Sequence, residues 1–115
     1  YANNPAIQLH GPGWSKIIIG DDCIENWRDY IDVIAGAISD NGGRSCINAS
    51  GVWTPGHAEE ISQALAVRLS KIVPRSAQDE AAQLAPFTDA NVAARISGII
   101  DQGLSEHVLE VGEPL

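Results

Sequence analysis

Apolar positions along the chain change spacing from stretch to stretch, and that change predicts its elements. Residues 6–10, Ala6-Ile7-Gln8-Leu9-His10, alternate apolar and polar, as in a short strand with one buried face. Gly11-Pro12-Gly13 imposes a turn. Lys16-Ile17-Ile18-Ile19 is a β-branched run, expected to be a strand covered on both faces. Gly20-Asp21-Asp22 closes it, and either aspartate is placed to cap the helix after it.

The spacing then lengthens to three and four. Trp27, Tyr30, Ile31, Ile34 and Ile38 define one apolar face and predict a helix over residues 25–39. Gly42 and Gly43 are suited to end it in a left-handed turn. Cys46 comes next among small polar residues, and Gly51-Val52-Trp53 predicts a short strand. Thr54 and Pro55 form a helix-start pair, with Thr as N-cap and Pro in the first helical position. Glu59 and Glu60 favour the dipole of the early turns. Ile61, Leu65, Leu69 and Ile72 supply the buried stripe, and Pro74 stops the helix. Residues 75–86 read mostly as loop. A third helix is expected from Thr88-Asp89 to Gly103, with Val92, Ile96, Ile99 and Ile100 on its face. Residues 108–111 predict a last strand. Strands alternating with helices imply an α/β fold with a parallel-type sheet, flanking helices and right-handed crossovers.

The composition narrows the function classes. At 115 residues with 44% apolar content, the chain can build one core. Fifteen acidic against seven basic residues leave a net charge of −8, which argues against nucleic acid or an anionic membrane as partner. No apolar run approaches the ~20 residues of a membrane span. Two cysteines, Cys23 and Cys46, make no disulfide scaffold and point to reduced thiols and a cytoplasmic setting. The absence of methionine points to a piece of a longer chain.

Cys46 is the candidate nucleophile, a thiol on a tight turn between a helix and a strand. The opposing expectation is a buried, unreactive cysteine, the commoner state of a free thiol. His10 reads as an ordinary residue at a strand edge, and His57 and His107 as surface residues. No histidine and carboxylate stand at metal-ligand spacing, so no metal site is expected. Trp14, Trp27 and Trp53 read as core or interface anchors. Gly11-Pro12-Gly13 is too short for a dinucleotide-binding fingerprint, because position 16 is Lys.

The run Asn41-Gly42-Gly43-Arg44-Ser45-Cys46 resembles the nucleophile motif of the aldehyde dehydrogenase superfamily, Asn-x-Gly-Gln-x-Cys. Ile7-Gln8-Leu9-His10-Gly11 is similar to that family's Leu-Glu-Leu-Gly-Gly segment, and Lys16 to Asp22 to the strand and acidic turn after it. Leu84-Ala85-Pro86-Phe87 resembles its Gly-Pro-Leu segment. The likeness is co-linear over nearly the whole chain. Arg44 stands where glutamine is usual, and the stretch from Asp21 to Cys46 is a few residues longer.

The resemblance implies a partial catalytic domain over residues 11–115, preceded by a tail of the cofactor-binding domain over 1–10. It implies Cys46 as the catalytic nucleophile, Leu9 and Gly11 as cofactor-binding positions, NAD or NADP as cofactor and a small-molecule aldehyde as substrate. It also implies a thioester on Cys46 and a homo-oligomer. A piece of this kind, without most of the dinucleotide site, is not expected to turn over aldehyde alone. Gln8 falls where hydrolytic members carry a general-base glutamate, and glutamine cannot accept a proton at neutral pH. His10-Gly11-Pro12-Gly13 is more similar to the Gly-Pro-Gly of the acylating branch, which passes the acyl group to coenzyme A. In either branch the backbone N–H of Cys46 is a candidate oxyanion donor, and N–H groups of the Ile47-Asn48-Ala49 turn would favour the thiolate. The alternative outside this family is an α/β module for association, with apolar faces pairing to a second chain and Cys46 merely structural.

Overall fold

The computed structural model describes residues 4–8 and 10–105. The chain divides into two compact units, Tyr1–Leu69 and Ser70–Leu115.

The first unit is built on two parallel strands, β1 (Ser15–Ile18) and β2 (Ala49–Trp53). Parallel neighbours require a crossover, because a tight hairpin cannot reverse the chain twice. The crossover here is a 3₁₀ stretch, Ile24–Tyr30, followed by helix α1 (Ile31–Ser39) and a second 3₁₀ turn, Asp40–Gly43. Helix α2 (Ala58–Leu69) comes after β2. The α/β class and the parallel pairing are therefore as the sequence predicts.

Register is Ser15↔Ala49, Ile17↔Val52 and Ile18↔Trp53. Two steps on β1 thus match three on β2, a bulge that leaves one extra residue on β2. Ser50 closes it: its hydroxyl donates to the Ser15 carbonyl at 3.1 Å and accepts from Lys16 Nζ at 2.7 Å. The Ile19 N–H then donates to the Trp53 carbonyl at 2.9 Å, carrying the pairing one residue past β1.

The core gathers Ile19, Ile24, Trp27, Ile34, Ala35, Ile61 and Leu65, with Ile17, Ile31, Ile38, Val52 and Leu69 packed against it. Trp27, Ile34, Ile61 and Leu65 are the positions the helical spacing selects. Burying each such side chain contributes about 1.5–3 kcal/mol. Arg68 Nε donates to Asp32 Oδ1 at 2.6 Å, tying α2 to α1 on the surface.

Several local expectations are corrected. Residues 6–8 and 10 form no strand: the Asn4 side chain accepts from the Ala6 N–H at 3.0 Å and its carbonyl from the Ile7 N–H at 3.0 Å, a turn that takes up the donors a ladder would use. The β-branched run is covered on one face only, since Ile18 is 79% exposed while Ile19 is buried. The first helix is α-helical only from Ile31. Before it, Asn26 sits at φ −100° and ψ 19°, outside the helical region, among residues with weak helix preference. Neither Asp21 nor Asp22 caps this stretch; Cys23 holds the N-cap position without a side-chain bond. Tyr30, expected on the buried face, is exposed.

The second helix begins at Ala58, three residues after Pro55. Thr54 Oγ1 accepts from the Gly56 N–H at 3.4 Å and donates to the Gly56 carbonyl, so the hydroxyl serves a local turn instead of a helix cap. His57 then takes a left-handed φ of 54°.

In the second unit, residues 72–89 are turns and irregular chain, as expected, followed by helix α3 (Ala90–Ser105). Asp89 Oδ1 accepts from the Asn91 N–H at 2.9 Å, the N-cap geometry its position predicts. The helix runs through Gly103 to Ser105. None of its residues is buried, and Ile96, Ile99, Ile100 and Leu104 are exposed. Residues 108–111 lie outside the described residues, as does His107.

Candidate nucleophile cleft

Helix α1 is stopped by three successive left-handed residues. Asn41, Gly42 and Gly43 sit at φ 54°, 69° and 68°. Glycine takes this conformation without a Cβ penalty, and asparagine is the side chain that tolerates it best. The two glycines do what their sequence position predicts; the third left-handed residue, Asn41, is an addition.

Beyond this stop the chain turns through Arg44, Ser45 and Cys46, and Asn48 fastens the turn. Its Oδ1 accepts from the Ser45 N–H at 2.7 Å, and its Nδ2 donates to the carbonyls of Ala37 and Asp40, each at 3.0 Å. One amide thus engages the carbonyls of Ala37, in the last turn of α1, and of Asp40, just after it, and holds the turn carrying Cys46 against them. Sequence reasoning missed this role. An asparagine two residues after the cysteine is a visible cue, but its partners lie up to eleven residues away.

The Asn48 N–H is itself bonded to the Ser45 carbonyl at 3.0 Å. It is spent within the turn, so of the three N–H groups expected to favour the thiolate this one is engaged elsewhere.

The second wall comes from residues before β1. A Cβ built on Gly13 would lie 1.8 Å from the Cys46 carbonyl oxygen and 2.9 Å from its Cα. Only glycine permits this approach of the two backbones. Ser15 Oγ also donates to the Cys46 carbonyl, at 3.4 Å. Between the walls lies an open cleft of about 570 Å³, lined by His10 to Trp14 and by Gly43 to Cys46. The Cys46 thiol is exposed there, and the buried-cysteine expectation is set aside.

The structure brings together residues the sequence treats separately. His10, Arg44 and Cys46 share the cleft, and Trp14, 77% exposed, stands at its wall instead of in a core. Trp27 alone of the three tryptophans is a core residue; Trp53 is exposed. Gly11 lines the cleft, but a Cβ there would meet open space, so packing does not demand glycine. Leu9 lies outside the described residues. Arg44 Nε donates to the Asn41 carbonyl at 3.5 Å, and its guanidinium has no carboxylate partner among the described residues. No aspartate or glutamate among the described residues lines the cleft.

Other polar residues stand apart. Half-buried His57 contacts Glu60 Oε1 at 3.3 Å and Glu25 Oε1 at 3.7 Å, with its ring 6.3 Å from that of Trp27. It is a structural bridge instead of a free surface residue. Cys23 is partly buried, and its thiol beside Tyr30 holds that phenol above its ordinary 10.0.

The cleft does not offer a full dinucleotide site. A pyrophosphate requires backbone N–H groups at a glycine-rich turn after a strand. After β1 comes Gly20-Asp21-Asp22, and the Asp22 carboxylate folds back so that a Cβ on Gly20 would lie 2.5 Å from its Oδ1. That turn presents carboxylates where a phosphate would need N–H donors. Among the described residues there is also no group of three or more potential metal ligands and no helix long and apolar enough to cross a membrane. No family model, curated protein or solved structure matches the chain.

Proposed function

We propose that this chain is part of the catalytic domain of an aldehyde dehydrogenase-like oxidoreductase, with Cys46 as the nucleophile that carries the acyl group as a thioester. The observation that supports this most is exposed Cys46 in a cleft whose two walls meet where Gly13 packs on the Cys46 backbone, with the Cys46 turn fastened to the end of α1 by Asn48. A nucleophile needs a fixed backbone and an open approach, and this turn has both.

The chemistry within reach of these residues is carbonyl addition. The Cys46 thiolate donates an electron pair to a carbonyl carbon, the carbon–sulfur bond forms, and the π electrons move to oxygen. The positive charge of Arg44 at the cleft favours that oxyanion. Oxidation of the adduct to a thioester requires a hydride acceptor, NAD or NADP on this reading.

The cleft also favours one mode of release. Among the described residues its lining holds no glutamate or aspartate to activate water. Transfer of the acyl group to a thiol such as coenzyme A fits the lining better. The test uses the full protein that carries this sequence. Aldehyde-dependent formation of NADH or NADPH should rise when coenzyme A is added and vanish in Cys46→Ala. Equal activity in Cys46→Ala would sink the reading.

A further inference from the structure

Resting on the reading of Cys46 as an acyl carrier, we propose that His10 is the proton acceptor for the thiol that releases the acyl group. Of the nine described residues lining the cleft, only His10, Arg44 and Cys46 have ionisable side chains. Cys46 is the nucleophile, and arginine does not give up its proton. Imidazole is the side chain that exchanges a proton near neutral pH.

His10 is also available for the task. Its ring has no hydrogen-bond or ion-pair partner among the described residues, whereas His57 is engaged by two glutamates. Its position is constrained as well. It lies three residues before Gly13, whose backbone is pressed against the Cys46 carbonyl, with Pro12 limiting the backbone between them.

The step balances without an oxidant. The incoming thiol gives its proton to an imidazole nitrogen of His10, and its sulfur attacks the thioester carbon. A new carbon–sulfur bond forms, the bond to Cys46 breaks, and Cys46 leaves as thiolate. The products are the acylated acceptor, a free Cys46 thiolate and a protonated His10, which returns its proton to solvent.

The test isolates this step from any oxidation. The chain is acetylated on Cys46 with p-nitrophenyl acetate, excess reagent is removed, and coenzyme A or cysteamine is added across about pH 5.5–9. Loss of the acetyl group is followed by mass spectrometry. The parent should release the acetyl group at neutral pH at least about tenfold faster than His10→Gln, with a pH–rate profile that the variant does not share. His10→Asn serves as a second variant. Normal acetylation with the parent's release rate and profile in both variants overturns this inference alone. Failure of Cys46 to take up acetyl, with Cys46→Ala matching the parent, overturns the nucleophile reading and this inference with it.

Discussion

The backbone of Gly13 lies so close to that of Cys46 that a methyl group on Gly13 would sit 1.8 Å from the Cys46 carbonyl oxygen. The obstacle is main chain, not the end of a flexible side chain, so one of the two walls must move to admit it. Gly13→Ala should therefore displace the Cys46 turn. We expect Cys46 acetylation to slow by about tenfold or more, since small misplacements of reacting groups are costly. Gly11→Ala, where a Cβ meets open space, should leave it unchanged. Stopped-flow release of p-nitrophenolate from the two variants makes the comparison.

Asn48 joins the cysteine turn to the end of α1 through three hydrogen bonds. Asn48→Ala removes all three and leaves the Ser45 N–H without its partner. A hydrogen bond contributes about 0.5–1.5 kcal/mol net, and partial exposure lets water replace some of it. The expected loss is about 1–3 kcal/mol in urea unfolding, together with slower Cys46 acetylation. Asn48→Asp keeps the acceptor for Ser45 but turns the donor into a second acceptor facing two carbonyls, so it should not restore stability.

Arg44 places a positive charge at the cleft without a carboxylate partner among the described residues. It should favour anionic reagents at Cys46. Arg44→Gln is expected to slow alkylation by iodoacetate about two- to fivefold more than alkylation by iodoacetamide, the size of an exposed charge interaction. The difference should shrink at high salt. Equal effects on both reagents would remove Arg44 from the electrostatics of the site.

What the sequence reveals of the fold and the cleft, and what it conceals, divides along physical lines. Gly42 and Gly43 announce their left-handed turn because glycine suits few other tasks at a helix end. Trp27, Ile34, Ile61 and Leu65 announce the core because helical spacing repeats locally. The parallel pairing of the Ile17 run with Val52 is expected from the helix between them. The features that escape depend on partners distant in the chain or on competing local bonds. Asn48 reaches back to Ala37, and Gly13 needs the Cys46 backbone to explain it. Thr54 has the composition of a cap but bonds Gly56. His10 and Arg44 are ordinary residues until the fold sets them in one cleft with Cys46.

Glu60 provides a pH test of the α2 start. Its own backbone N–H, and then His57, hold its carboxyl below the ordinary value of 4.5. A carboxyl depressed in the folded state adds stability above the unfolded pKa, and this is lost as pH falls through the folded value. The contribution should therefore be present at neutral pH and disappear in acid below about 4.5. An NMR carboxyl titration should place Glu60 below that value. His57→Ala should raise its midpoint without restoring it fully, because the N–H remains.

The measurement that bears most directly on the role of Cys46 is the reaction of the chain with p-nitrophenyl acetate, with the acetylated residue mapped by mass spectrometry. A nucleophile at this turn predicts an initial burst of about one p-nitrophenolate per chain, with the acetyl group on Cys46. The burst should be lost in Cys46→Ala and kept in Cys23→Ala. No burst, or acetyl appearing on Cys23 as fast as on Cys46, would contradict the claim that this turn holds a nucleophile.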